Sequence, residues 1–141
     1  FTHYLYDMNP EYKVYALVID NEVYKSEILD INPFISKVTI HKAKINHNFV
    51  DVGNKHLIII GQELKDAKNL CERYDCNVNY VHVRNRKCLE ITTYERGVGF
   101  TKSCGSGNVA SFLYAYSNNI CDDQVVVINK GGINYLMMND K

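Results

Sequence analysis

Residues 94–108 have the sequence YERGVGFTKSCGSGN, and they lie between a strand-like run and a helix-like run. Four glycines within eleven residues let the backbone turn tightly and approach a ligand closely. The first backbone N–H groups of a helix have no partner inside it and attract anions. The same positive helix end lowers the pKa of a nearby cysteine, so we expect Cys104 to be available as a thiolate near neutral pH. The stretch therefore predicts a thiolate beside an anion-binding pocket. A buried cysteine that only packs is the alternative, and position alone leaves both roles open.

Three segments resemble motifs of the diaminopimelate epimerases. The family's second cysteine motif is similar to ERGVGFTKSCGSG at residues 95–107, and its Gly-Asn-Pro-His segment is similar to VDVGNKH at residues 50–56. The asparagine-bearing strand of the family resembles NVNY at residues 77–80. The motifs occur in the family's order, and the resemblance is strong from about Phe49 to Phe112.

This resemblance implies an epimerase that inverts an amino-acid α-carbon with two cysteines, without pyridoxal phosphate or a metal. One thiolate removes the α-proton while the other thiol delivers a proton from the opposite face. The substrate would be the small molecule LL-diaminopimelate, converted to the meso form for lysine and peptidoglycan synthesis. Nothing in the sequence matches the family's first cysteine motif, so residues 1–141 are expected to be one domain, the C-terminal half of such an enzyme, with half of the active site.

The resemblance also implies roles for individual residues. The expected catalytic residues are Cys104, Glu95 and His56, and the expected substrate-binding residues are Asn54, Asn77, Glu95, Arg96, Gly105 and Ser106. Each has an ordinary alternative: Glu95 and Arg96 could be a solvated charge pair, and His56 a satisfied core histidine. Asn54 and Asn77 could hold turns or strand ends, and Asn79 competes with Asn77 for its role.

Two departures from the family pattern concern the backbone around the site. Lys55 replaces the proline of Gly-Asn-Pro-His, so the backbone angle before His56 is less fixed. Asn108-Val109 replaces a pair of small residues, so we expect the first turn of the following helix to pack differently.

Composition narrows the class of protein. Lys plus Arg and Asp plus Glu are both 16, so no net charge favours a nucleic-acid or membrane partner. No apolar run approaches the roughly 20 residues that span a bilayer. Five cysteines without a Cys-x-x-Cys pair favour a reducing compartment, the cytoplasm, over a disulfide framework. The spacing of Cys71 and Cys76 disfavours zinc. The start at Phe1 favours a fragment of a longer protein.

Hydrophobic periodicity predicts an α+β fold. Strands are expected at 13–19, around 23–24, and at 37–41, 49–52, 57–60, 77–84, 89–94, 124–128 and 133–138, with residues 26–35 ambiguous. A turn is expected at Asp20-Asn21, and two hairpins are expected, one joining 77–84 to 89–94 and one joining 124–128 to 133–138. The apolar run at 57–60 indicates burial on both faces. A surface helix is predicted from Gln62 to Tyr74, and a helix apolar nearly all round from about Gly107 to Ser117. A mostly antiparallel sheet wrapped around that buried helix fits the pattern, as the resemblance also implies.

Two other hypotheses remain open. The first is another racemase or isomerase of the same fold, which the Glu95-Arg96 pair disfavours because a ligand without a distal amino-acid group would not use it. The second is a non-catalytic, single-domain ligand-binding module. An uncovered apolar face would tend to self-associate, which makes a homodimer one expected arrangement. A phosphate-binding loop fails on glycine spacing, and a cysteine hydrolase has no local signature.

Overall fold

The computed structural model of the chain describes residues 14–19, 22–30, 37–61 and 63–140. Within them the strands are β1 Val14–Ile19, β2 Glu22–Asp30, β3 Lys37–Lys42, β4 Lys44–Asn46, β5 Phe49–Asp51, β6 Lys55–Ile60, β7 Asn77–Asn85, β8 Cys88–Glu95, β9 Gly99–Thr101, β10 Gln124–Asn129 and β11 Gly132–Asp140. The helices are α1 Ala67–Tyr74 and α2 Gly105–Ser117. The turn predicted at Asp20-Asn21 and the ambiguous residues 31–35 lie outside the described residues.

The strands form one mixed sheet in the order β3-β2-β1-β11-β10-β8-β7-β6-β5-β4, with β9 added beside β8. Neighbours pair antiparallel except at the β1–β11, β8–β10 and β6–β7 junctions. The predicted hairpins are confirmed: β7 pairs with β8, and β10 pairs with β11. The short strands β4 and β9 were not predicted, and β9 lies inside the glycine-rich stretch.

Helix α2 supplies much of the described core. Val109, Ala110, Phe112 and Leu113 are at most 1% exposed and pack with Val81, Leu89 and Val127 of the sheet. The predicted burial of this helix is confirmed along its middle, since its exposed residues lie at the two ends, such as Gly105 at the start and Tyr116, 41% exposed, near the end. Each large apolar side chain buried this way stabilises the fold by about 1.5–3 kcal/mol. Because the middle of α2 is anchored in this core, the first turn of the helix is fixed in position.

Helix α1 is shorter than predicted. Asp66 has a left-handed backbone (φ 60°), which is incompatible with a helix running through it, so the helix begins at Ala67 rather than Gln62. Leu64 lies outside the helix and is 49% exposed, and Gln62 itself is not among the described residues. Ala67 and Cys71 pack against Val78 and Tyr80 of β7, as a covering helix should.

Only part of strand β6 is buried on both faces. Leu57 and Ile58 are buried, whereas Ile60 is 41% exposed, so the expectation of a doubly covered strand is wrong at its end. The strand begins two residues earlier than predicted, which places the fully buried His56 within it. This strand position fixes the direction of the His56 side chain.

Candidate active site

Cys104 is the N-cap residue of α2. Its backbone is extended (φ −139°, ψ 107°), and its Sγ accepts a hydrogen bond from the N–H of Gly107 at 3.4 Å. The Ser106 hydroxyl lies 3.4 Å from the same sulfur. The thiol is only 8% exposed. Strand β9 and helix α2 thus present the cysteine at a helix start, as the glycine-rich stretch predicted.

The pKa of Cys104 is raised, which corrects the expectation of a thiolate near neutral pH. Burial is the largest cause, because it disfavours the charged form. Hydrogen bonds from Ser106 and from the Gly107 N–H lower the pKa, and the Glu95 carboxylate raises it by charge and by hydrogen bonding to the thiol. The free protein therefore holds Cys104 as a thiol facing Glu95, which lies half-buried at the end of β8.

His56 reaches the cysteine through Ser106. The imidazole is 0% exposed, and its Nε2 lies 3.1 Å from the Ser106 hydroxyl. Its Nδ1 faces Asn79 on the neighbouring strand β7. The family resemblance implied a histidine near the cysteine, and the structure places the Ser106 hydroxyl between the two.

Asn54 contacts the same hydroxyl from the turn between β5 and β6. Its Nδ2 donates to Ser106 Oγ at 3.0 Å. Gly53 has a left-handed φ of 104°, and its N–H donates to the Asp51 carboxylate at 2.9 Å. Lys55, which stands where the family pattern has proline, pairs with Asp51 in the β5–β6 ladder. Strand pairing therefore fixes the backbone before His56 without a proline ring.

Asn77 and Arg96 form a second group, where β7 begins and β8 ends. Asn77 Oδ1 accepts from the backbone N–H of Arg96 at 2.8 Å, and Asn77 Nδ2 donates to the Lys55 carbonyl at 3.4 Å. The Arg96 guanidinium pairs with Asp75 at 2.8 Å, and both side chains are well exposed. Such a surface ion pair is worth at most about 1 kcal/mol, so it does not hold the guanidinium away from a ligand.

The first turn of α2 supplies unpaired backbone donors. The N–H groups of Gly105 and Ser106 lie in the part of a helix that has no intrahelical acceptors. Asn108 in the same turn forms a buried reciprocal amide pair with Asn129 at the end of β10, at 2.7 and 3.0 Å. Asn129 also donates to the Ile91 carbonyl at 2.9 Å. This pairing explains the asparagine at position 108: it ties the start of α2 to the sheet.

Asn79, the sequence alternative to Asn77, lies in the same cluster, together with Gly107, which the sequence did not assign to the site. Asn79 is 0% exposed and donates to the Gly107 carbonyl at 3.3 Å, besides contacting His56. A Cβ at Gly107 would lie 2.8 Å from Asn79 Nδ2 and 2.9 Å from Thr93 Oγ1, so glycine permits this close contact between helix and sheet. The sequence signal for Asn79 was its place in the segment NVNY, which resembles the asparagine-bearing strand of the family.

Sequence comparison supports the resemblance. The chain is 32% identical to the diaminopimelate epimerase of a Nitratiruptor species over 133 residues, 86% of this chain and 48% of that protein. It is 30% identical to the diaminopimelate epimerase of Methanocaldococcus jannaschii over 124 residues, 80% of this chain and 41% of that protein. This chain is a homologue of the diaminopimelate epimerases. It spans about half the length of these diaminopimelate epimerases, and no family model matches it.

Structural comparison agrees on the fold. A Bacillus anthracis phenazine biosynthesis protein of the PhzF family superposes with a TM-score of 0.52 at 16% identity, over 67% of this chain and 33% of that one. At this identity the likeness concerns the fold alone.

All five cysteines are free thiols, and no helix among the described residues is long and apolar enough to cross a membrane.

Proposed function

We propose that this chain is the C-terminal half of a cofactor-independent diaminopimelate epimerase, which interconverts LL- and meso-diaminopimelate in lysine and peptidoglycan biosynthesis. The observation that carries the proposal is the position of Cys104. It caps α2 and contacts Ser106 and Glu95, within the motif that resembles the second cysteine motif of the epimerases. The partner half, which would supply the second cysteine, faces this one across the substrate.

In this mechanism Cys104 works in both protonation states. As a thiol it delivers its proton to the α-carbon of the intermediate, and Sγ becomes a thiolate. In the opposite direction the thiolate takes the α-proton, the C–H electron pair passes into the carboxylate, and the partner thiol protonates the other face. Glu95 favours the thiol form in the free protein, because its charge raises the pKa of Cys104.

The developing negative charge on the carboxylate requires preorganised donors. The N–H groups of Gly105 and Ser106, at the positive end of α2, would bind this group. Both residues are small, so the carboxylate is able to approach the backbone closely. Because α2 is anchored in the core by Phe112 and its neighbours, these donors are held in place before the substrate arrives.

The distal amino-acid end of the substrate would lie toward Arg96. Its planar guanidinium is suited to bidentate binding of a carboxylate, and Asn77 fixes its backbone through the 2.8 Å hydrogen bond. Glu95 would meet the ammonium group, and Asn54 would add a donor from the opposite side. An epimerase acting on a simple amino acid would have no use for Arg96.

The proposal also covers the arrangement of the whole enzyme. The sheet would wrap around α2 as the central helix of this half, and the second half would repeat the arrangement. The enzyme would act in the cytoplasm, with a homodimer as its oligomeric form. The reaction would require no cofactor beyond the two thiols.

Conversion of LL- to meso-diaminopimelate by the intact protein tests the proposal. We expect turnover by the intact protein, loss of turnover in Cys104→Ala, and little turnover by the 141-residue chain alone. A comparison of diaminopimelate with simpler amino acids, in the wild type and Arg96→Ala, tests the substrate. Equal activity on both substrates in the wild type would favour another racemase of the same fold. No turnover of any of them would favour a binding module.

A further inference from the structure

The Ser106 hydroxyl has more neighbours than it has hydrogens. It carries one hydrogen and accepts with its lone pairs. The Asn54 amide nitrogen donates to it at 3.0 Å. His56 Nε2 at 3.1 Å and Cys104 Sγ at 3.4 Å are the other neighbours, and either is able to accept the hydrogen. Ser106 therefore donates to His56 or to Cys104, and not fully to both.

The protonation state of Cys104 decides between them. A thiol sulfur is a weak acceptor, so Ser106 donates to His56 Nε2 while Cys104 is protonated. A thiolate accepts a charge-assisted hydrogen bond, which is stronger, so Ser106 turns to Cys104 once the thiol ionises. His56 Nε2 then faces an oxygen lone pair, and it is satisfied only if it carries a hydrogen itself.

The Asn79 amide is placed to serve both forms of His56. Its orientation is fixed, because Nδ2 donates to the Gly107 carbonyl at 3.3 Å. In this orientation Oδ1 lies 3.2 Å and Nδ2 3.1 Å from His56 Nδ1. Oδ1 accepts when Nδ1 is protonated, and Nδ2 donates when Nδ1 is not. No side chain has to move for the imidazole hydrogen to change nitrogen.

We propose that Asn79 is a positioning residue that lets His56 exchange tautomers, and that Ser106 couples the tautomer of His56 to the protonation of Cys104. With Cys104 as a thiol, His56 carries its hydrogen on Nδ1. With Cys104 as a thiolate, the hydrogen is on Nε2 and Ser106 donates to the sulfur. The imidazole gains and loses no net proton. The arrangement deepens the proposed function, because it supplies a hydrogen bond to the thiolate only when the thiolate exists.

The polar and titratable groups that face Cys104 come from three elements. Glu95 faces Cys104 from β8, Ser106 faces it from α2, and His56 reaches it from β6. Raising the pH ionises Cys104 on the alkaline side, because its pKa is raised. The nitrogen NMR signals of His56 in the intact, histidine-labelled protein report which ring nitrogen is protonated. Cys104→Ser, whose hydroxyl stays neutral, isolates the part of any change that Cys104 causes.

In the wild type we expect the Nδ1 signal to move from the protonated to the unprotonated range as Cys104 ionises, and this change to be lost in Cys104→Ser. Asn79→Asp offers acceptors only, so Nδ1 stays protonated throughout. Asn108→Asp is the matched control, since it places a carboxylate at a buried position of the same helix turn, facing Asn129. This control keeps the wild-type response.

Ser106→Ala is the second variant, in case Asn79→Asp does not fold. It removes the link between His56 and Cys104, so His56 ceases to follow the thiol. A wild-type His56 that keeps one tautomer across the ionisation of Cys104 would overturn the proposal, as would an unchanged response in Asn79→Asp or Ser106→Ala. No substrate is present in this experiment, so its outcome is separate from that of the epimerisation assay.

Discussion

The two ends of α2 each hold a buried cysteine, and they differ in what surrounds the sulfur. Cys104 at the start is 8% exposed and Cys121 beyond the end is 2% exposed. Burial raises the pKa of both thiols, that of Cys121 to about 11. The sulfur of Cys104, however, is contacted by Gly107 N–H, the Ser106 hydroxyl and Glu95. We therefore expect Cys121, which is only buried, to be inert, and Cys104, which receives directed hydrogen bonds, to be able to exchange a proton.

The charged residues near Cys121 have a structural role. Arg86 pairs with Asp122 at 2.8 Å and donates to the Asn119 carbonyl at 2.9 Å. These contacts tie the β7–β8 turn to the segment after α2. The Cys121 side chain itself packs in the apolar core. We therefore expect substitution of Cys104 to affect activity and substitution of Cys121 to leave activity nearly unchanged.

The largest expected effect separates the two cysteines by activity. Cys104→Ala removes one of the two proposed acid–base groups, and we expect epimerisation to fall by about 10³-fold or more. Cys121→Ala leaves the site intact, so turnover per folded molecule stays near the wild-type rate. Steady-state kinetics of the intact protein measure both. Similar losses in the two variants would contradict the different roles proposed for the two cysteines.

The next effect concerns stability at alkaline pH. The folded pKa of Cys121, about 11, lies above the ordinary value of 9.0, so the folded state keeps its proton while the unfolded state loses it. The stability that this proton contributes is present below pH 9 and is lost as the pH rises toward 11. Two pKa units correspond to about 2–3 kcal/mol.

Urea unfolding at pH 8 and at pH 10.5 measures this loss, with Cys121→Ala as the matched variant. We expect the loss on raising the pH to be smaller in the variant. An equal loss in both proteins would show that other groups cause the alkaline destabilisation.

Gly107→Ala tests how closely the start of α2 must approach the sheet. The added Cβ would lie 2.8 Å from Asn79 and 2.9 Å from Thr93, so we expect a destabilisation of about 1–3 kcal/mol and reduced activity. Ser111→Ala is the control in the same helix. Its buried hydroxyl has no hydrogen-bond partner among the described residues, so its removal should be neutral or slightly stabilising. Thermal unfolding compares them, and a Gly107→Ala protein as stable as Ser111→Ala would contradict the close contact.

The smallest effect on stability is expected at the rim of the site. Asp75→Ala removes an exposed ion pair and should change stability by less than about 1 kcal/mol. Arg96→Ala should change stability as little but raise KM for diaminopimelate. The two variants share the loss of the ion pair, so a difference in KM between them isolates the role of the guanidinium. Equal KM values in the two variants would contradict a role of Arg96 in binding the substrate.

Local sequence patterns predicted the elements that depend on local interactions. The β7–β8 and β10–β11 hairpins and helix α2 follow from apolar periodicity and turn residues, and all three are confirmed. The start of α1 was wrong because the pattern does not reveal the left-handed backbone of Asp66. The resemblance to the family motifs predicted Cys104, Ser106, His56 and Asn54 as site residues. In the structure these residues lie within one hydrogen-bonded cluster.

The features that the sequence missed or left open depend on contacts distant in sequence. Asn79 meets Gly107 across 28 positions, and only the packing of α2 on β7 makes it part of the site. The predicted direction of the Cys104 pKa shift was wrong for the same reason. The helix terminus is visible in the sequence, whereas the burial of the thiol and the approach of Glu95 arise only on folding.

Deuterium uptake at the α-carbon of diaminopimelate in heavy water tests the proposed role of Cys104, because it detects proton exchange at the carbon where Cys104 is proposed to act. NMR would follow it for the intact wild type, Cys104→Ala and Cys121→Ala. We predict that wild type and Cys121→Ala incorporate deuterium with inversion, and that Cys104→Ala does not. Incorporation by Cys104→Ala at the wild-type rate would contradict the assignment of Cys104 as an acid–base group.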